Sequence, residues 1–281
     1  MTLDQFLTSL VYLAAVMVLF VVGKFVFDLM HPRFKLKDQL VEHDNLAVAI
    51  TVAGYMLGLV FAIGGVLLGP SNGLGEDLID IFFFGLFAVV LLNFSGFIND
   101  KLILHKFDNV KEIIDDRNEG TGAIEAGNYM AMGLIFAGAF SGQDGDLVTG
   151  IVFWLLGQLA LVIVTRVYNL TNKFDLHDEV EKDNVAVGVA FAGLLVGLGN
   201  VLRIAVSGDF ESWAENMSGF AAYAALGVIV LPLLRIATDR LLLPGARLTD
   251  ELVNQEKPNV GAGLIEATSY ISASMLITWI L

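Results

Sequence analysis

Residues 119–140 read EGTGAIEAGNYMAMGLIFAGAF, and residues 259–281 read NVGAGLIEATSYISASMLITWIL. Each stretch is long enough to cross a bilayer, since about 20 mostly apolar residues in a helix span some 30 Å of hydrocarbon. Each also carries a glutamate, Glu125 or Glu266, inside its apolar run. A carboxylate at that depth costs roughly 2.5–3.5 kcal/mol on insertion scales, so it turns toward other helices or takes up a proton. The same costly residue set twice in nearly the same words points to a duplicated membrane unit.

Composition agrees with that. Apolar residues make up 56% of the 281, charged residues only 16%, and mean hydropathy is +0.72. So little charge cannot cover the surface of a water-soluble protein of this size. The net charge is −14, and no basic patch with interleaved aromatics occurs, which argues against a nucleic-acid partner. Cysteine is absent, so disulfides and thiolate chemistry are excluded. The opening MTLDQFLTSL lacks a positive n-region and reads as the start of a first span rather than a signal peptide.

Eight apolar segments follow, at about 5–29, 46–69, 78–103, 121–140, 147–170, 185–206, 217–243 and 259–281. All but one of the sixteen Lys and Arg residues lie in or beside the connections after the first, third, fifth and seventh; the exception is Arg203. By the positive-inside rule those connections are cytoplasmic and both termini lie outside, in an inner cell membrane. The four connections echo one another as LKDQLVEHDN, VKEIIDDRNE, LHDEVEKDN and LTDELVNQEKPN. Each predicts a short amphipathic helix at the interface, followed by an N-capping asparagine: Asn45, Asn118, Asn184 or Asn259.

The repeat is also visible away from the glutamates. Asp44-Asn45-Leu46-Ala47-Val48 recurs as Asp183-Asn184-Val185-Ala186-Val187, with Ala53-Gly54 and Gly58 recurring as Ala192-Gly193 and Gly197. Asn118 through Ala126 matches Asn259 through Ala267, and Tyr129 matches Tyr270; Asn128 departs, facing Ser269. Equivalent positions are separated by an even number of spans. The expected fold is therefore all-α and polytopic, with about eight transmembrane helices in two parallel four-helix repeats, residues 1–142 and 143–281, related by a pseudo-two-fold axis along the membrane normal. These motifs resemble the YjfL-like membrane family, catalogued as domain of unknown function 350, in two tandem copies. The resemblance implies fold and membrane location, and no activity.

Candidate site residues follow from burial cost. Glu125 and Glu266 come one to two turns into their helices, where an ion- or proton-binding pair competes with a packing role. Asp28, Asp100 and Asp239 lie near the inner ends of spans one, three and seven, as pathway groups or depth markers, with Lys24 or Arg166 as partners for an aspartate. Gly54, Gly58, Gly193 and Gly197, four apart in each pair, suit close helix packing. No histidine pair has the spacing of a helical zinc site, and no nucleophile–base order appears, so no metal, cofactor or enzymatic activity is expected. Two functions remain open: a small-cation or proton channel or transporter using Glu125 and Glu266, and a non-transporting scaffold or sensor whose loops dock a partner. The expected partners are the lipid bilayer, a small cation or proton, and a second copy or a cytoplasmic protein.

Overall fold

The computed structural model describes residues 2–142, 146–242 and 245–280, and every regular element among them is helical. In chain order these are α1 (Leu3–Met30), a π-helical turn (Asp38–Glu42), α2 (Leu46–Leu67), α3 (Leu74–Ile98) and a second π-helical turn (Asn99–Ile103). There follow α4 (Asn109–Ile114), α5 (Glu119–Ala139), α6 (Leu147–Thr171) and α7 (Leu176–Glu181). The last are α8 (Val185–Ala205), α9 (Trp213–Leu241), α10 (Leu248–Val253) and α11 (Val260–Ile280). The expected boundary at 142/143 abuts residues outside the described set.

Seven of the eight long helices are long and apolar enough to cross a membrane; α5 is the other. The reason lies in what surrounds it. Helix α5 is buried along nearly its whole length, packed among α2, α3, α6 and α8. A helix sheathed by protein needs no lipid-facing hydropathy, and its Gly120, Gly122, Gly127, Gly133 and Gly138 admit neighbours closely instead. It runs beside α2 from Ala47, against Gly122, to Gly65, against Ala137, so it extends as far as that apolar span does.

Four helices form a row in the order α2, α5, α8, α11. They run parallel, because close approaches advance together along both chains: Gly54 meets Ala126 and Gly65 meets Ala137, then Gly127 meets Ala192 and Gly138 meets Arg203. Helices α1, α3, α6 and α9 flank this row. The expected pseudo-two-fold does not describe it. A two-fold that joins α5 to α8 would equally join α11 to α2, and those two share no comparable interface. The halves follow one another head to tail, with the same orientation.

Each row helix is preceded by one of the expected short elements and capped by its asparagine. Val48, Thr121, Val187 and Ala262 donate backbone N–H groups to Asn45, Asn118, Asn184 and Asn259 at 3.2, 2.9, 3.1 and 3.2 Å. Three of the short helices bury their apolar side, through Ile113, Leu176 with Val180, and Leu248 with Leu252. The first, a π-helical turn, buries none of its residues. Where the two halves join, Lys106 pairs with Asp175 at 2.9 Å and the buried His177 donates Nε2–H to the Ile103 carbonyl at 2.7 Å. Burial pushes the His177 imidazole below its ordinary range, against the pull of that carbonyl and of Asp175.

Candidate functional site

Glu125 lies in the second turn of α5 and is 5% exposed. The helix is held there by α2, whose Gly54 lies so close that a Cβ would fall on the Ala126 backbone, one residue from the glutamate. Gly58 does the same against the Tyr129 carbonyl. Opposite Glu125 stands the half-buried Asp100, on the π-helical turn that ends α3, near enough for the two carboxyl groups to interact directly. A π-helical turn inserts one residue into a helical turn and so re-aims the side chains that follow it. Asn109, the first residue of α4, also donates to Asp100, at 2.6 Å.

From this pair a polar seam runs between α1, α2, α3 and α5. Tyr129, one turn beyond Glu125, places its hydroxyl against Gly96 and its ring edge-on to Tyr55, with centroids 5.3 Å apart. Tyr55 donates to the Gly23 carbonyl at 3.1 Å and accepts from Asn93, also at 3.1 Å. Along the seam several buried polar atoms have no hydrogen-bond partner: Asn93 Oδ1, both amide atoms of Asn99, Asn109 Oδ1 and the Tyr129 hydroxyl. Such orphans are costly and uncommon in native structures. At its edge His31 stacks on Phe27 at 4.3 Å. Burial lowers the His31 pKa, while the Phe27 carbonyl and the charges of Asp100 and Asp28 pull it upward.

The second half places the same residue types differently. Glu266 is fully buried, and Arg235 Nε of α9 lies 2.9 Å from its Oε1, an ion pair without the alignment of a hydrogen bond. Tyr270 donates to the same oxygen at 2.7 Å. In the register that matches Asp44 with Asp183, Arg235 stands where the first half has Gly96, and Asp239 where it has Asp100. Asp239 accepts the backbone N–H of Leu248 at 2.5 Å, and Leu248 is the counterpart of Asn109. Thus one glutamate meets a carboxyl and the other a guanidinium.

The glutamates themselves are not brought together, since α8 lies between α5 and α11. Each has its own partners within its own half. Asp28 pairs with Lys24 along α1, leaving its Oδ1 buried and unpartnered. Gly193 sits against Ala267 as Gly54 does against Ala126, and Gly197 approaches the Tyr270 carbonyl, with a Cβ there 3.0 Å away. All four glycines therefore seat the two glutamate-bearing helices. Sequence reasoning missed Arg235 as the partner of Glu266. The repeat register held the signal, a cation facing a glycine at matched positions.

This doubled unit, with its buried glutamate, following tyrosine and capping asparagine, agrees with comparison to known proteins. The family model described as Domain of Unknown Function (DUF350) matches residues 1–140 and again 144–281. The chain belongs to this family. A UPF0719 transmembrane protein of Aquifex aeolicus (strain VF5) is 24% identical over 259 residues, covering 90% of this chain and 93% of its own. The UPF0719 transmembrane protein YshE of Bacillus subtilis (strain 168) is 24% identical over 134 residues, covering 48% of this chain and 93% of its own, or about one repeat. No solved structure matches the chain. With its apolar helices, family membership makes this an integral membrane protein in contact with lipid.

Proposed function

We propose that the protein carries protons across an inner cell membrane, with the Glu125–Asp100 pair as the group that takes up and releases them. The observation behind this is the buried Glu125 facing the half-buried Asp100, neither of them in a salt bridge among the described residues, beside a seam of unpartnered polar atoms. Intramembrane acids that face the protein interior are the usual elements of proton relays. Two carboxyls sharing one proton can hold it or pass it on with little rearrangement. The tyrosine hydroxyls and the amides of Asn93, Asn99 and Asn109 supply hydrogen-bonding capacity along which water can order. Glu266, neutralised by Arg235, serves structure in this scheme and carries no proton. The end bearing the short helices and the basic residues faces the cytoplasm, which places the carboxyl pair in the inner third of the membrane.

The test is proton flux in liposomes containing purified protein, followed with an internal pH dye under an imposed gradient. The parent protein is expected to dissipate the gradient, and Glu125→Gln or Asp100→Asn to slow this at least tenfold while still inserting. Replacing Glu266 together with Arg235 by Gln and Met is expected to leave the flux within about twofold. A parent protein that moves no protons under any gradient or voltage overturns the proposal and favours the scaffold role, with the carboxyl pair as helix packing.

A further inference from the structure

The row α2, α5, α8, α11 is built by repeating one joint, and both of its ends are unfinished in matching ways. At the α5–α8 joint Gly120 lies against Gly188, Gly127 against Ala192, Ala131 against Gly199, and Gly138 against Arg203. In the register of Glu125 with Glu266, the α5 side of this joint corresponds on α11 to Gly261, Thr268, Ser272 and Trp279, and all four are exposed. In the register of Asp44 with Asp183, the α8 side corresponds on α2 to Ala49, Ala53, Val60 and Gly64. Ala53 and Val60 are exposed, and Ala49 and Gly64 half-buried. The two surfaces that mate inside the chain thus recur, uncovered, on its two edges.

Sizes on these edges match as well. Within the chain small Gly138 accommodates Arg203; on the edges the large partner has changed sides. Trp279 is 77% exposed on α11, and its counterpart across the joint is Gly64, where a Cβ would meet nothing within 4 Å.

A hydrogen bond repeats with the same polarity, and it is independent of the helix faces. Asn45 donates to the Ile113 carbonyl at 2.9 Å, Asn118 to that of Val180 at 2.6 Å, and Asn184 to that of Leu252 at 2.8 Å. Each capping asparagine therefore grips the short helix that leads into the next member of the row. Asn259 has no next member: it is exposed, and its amide donates to Glu251 of its own connection, as those of Asn45, Asn118 and Asn184 also do to Gln39, Glu112 and Glu179. The counterpart of Val180 at the other edge is Val41, on the π-helical turn that buries no residue, and Val41 is 75% exposed.

We propose that a second copy of this chain docks its α2 edge on α11, extending the row head to tail, with Asn259 of one copy bonding to the π-helical turn before α2 of the next. Such an interface is heterologous, so copies close into a ring or continue as a filament. The row does not close within one chain, because α2 and α11 share no comparable interface. In a relative of about one repeat, such as the Bacillus subtilis protein, the α5–α8 type of joint is available only between separate chains. This inference is independent of proton transport.

The absence of cysteine makes a direct test available. A Cβ on Gly127 would lie 2.9 Å from the Ala192 Cβ, so side chains at the equivalent positions 53 and 268 come within disulfide reach, which requires about 3.5–4.5 Å, after slight relaxation. The double variant Ala53→Cys/Thr268→Cys, oxidised in native membranes, is expected to give reducible bands at two, three and more times the monomer mass. Ala53→Cys or Thr268→Cys alone should remain monomeric, and the two co-expressed should stop at the dimer. Adding Gly64→Trp, which fills the space meant for Trp279, should remove the ladder. Monomer in every sample overturns the proposal, as does an internal crosslink within one chain. Dimers from a single variant also overturn it, since they signify a two-fold interface. Both changes lie on exposed positions, and the co-expressed single variants carry the test should the double variant fail to accumulate.

Discussion

Arg235 and Gly96 occupy matched places in the two halves, and around that difference the two glutamates acquire opposite surroundings. In the first half the Tyr129 hydroxyl fills the space at Gly96 and Glu125 meets Asp100. In the second a guanidinium reaches Glu266. Removing one partner of a buried ion pair leaves an uncompensated charge, at a loss of about 3–5 kcal/mol, whereas replacing both by uncharged groups is often close to neutral. Arg235→Met is accordingly expected to lower the melting temperature of purified protein in detergent sharply, and Arg235→Met/Glu266→Gln to recover most of the loss. A single variant as stable as the parent would remove the ion pair from the structural role given to it here. The glutamates are plain in the sequence because a charge in an apolar run stands out. Tyr270, four residues beyond Glu266 on one helix, is within reach by spacing alone. The partners on other helices are not plain, because Asp100 and Arg235 reach the glutamates from positions that only helix packing and a π-helical turn determine.

Among elements, the row helices depend on how closely their backbones approach. Gly54 and Gly193 face the backbones of Ala126 and Ala267 with no room for a methyl group, while at Gly197 the nearest atom, the Tyr270 carbonyl oxygen, lies 3.0 Å from where a Cβ would stand. Overpacking costs about 1–3 kcal/mol when neighbours must shift. Gly54→Ala and Gly193→Ala are expected at the upper end of that range and Gly197→Ala at the lower end, read as melting temperatures of the purified variants. Equal losses at all three positions would show that the local spacing does not govern the joint. The spacing of these glycines was legible because small residues four apart mark a helix face whatever its partner. Which face meets which helix was not, and so the order of the row, and its head-to-tail sense, came only from the contacts. Helix α5 illustrates the opposite case: its low hydropathy reflects a protein environment on all sides, which segment length conveyed and hydropathy did not.

For the whole molecule, the charge pattern and the architecture meet in the question of orientation. The short helices and π-helical turns gather at one end of the row, tied by Arg33 to Asp115 at 3.0 Å and by Lys106 to Asp175 at 2.9 Å. Fifteen of the sixteen basic residues, all but Arg203, lie in or beside the connections at that end. Lys and Arg resist translocation, and Asp and Glu contribute little to the bias, so the net charge of −14 does not weaken the argument. With eight long helices the two termini lie on the same side, opposite the short helices. A reporter enzyme that is active only outside the cytoplasm is therefore expected to be active when fused after residue 281 and inactive when inserted within 107–117 or 175–183. Activity in those connections, with silence at the C-terminus, would invert the molecule and put the Glu125–Asp100 pair near the outer surface. Opposite outcomes at 107–117 and 175–183 would mean that one of the two long helices between them, α5 being the less apolar, does not span the membrane in the living cell.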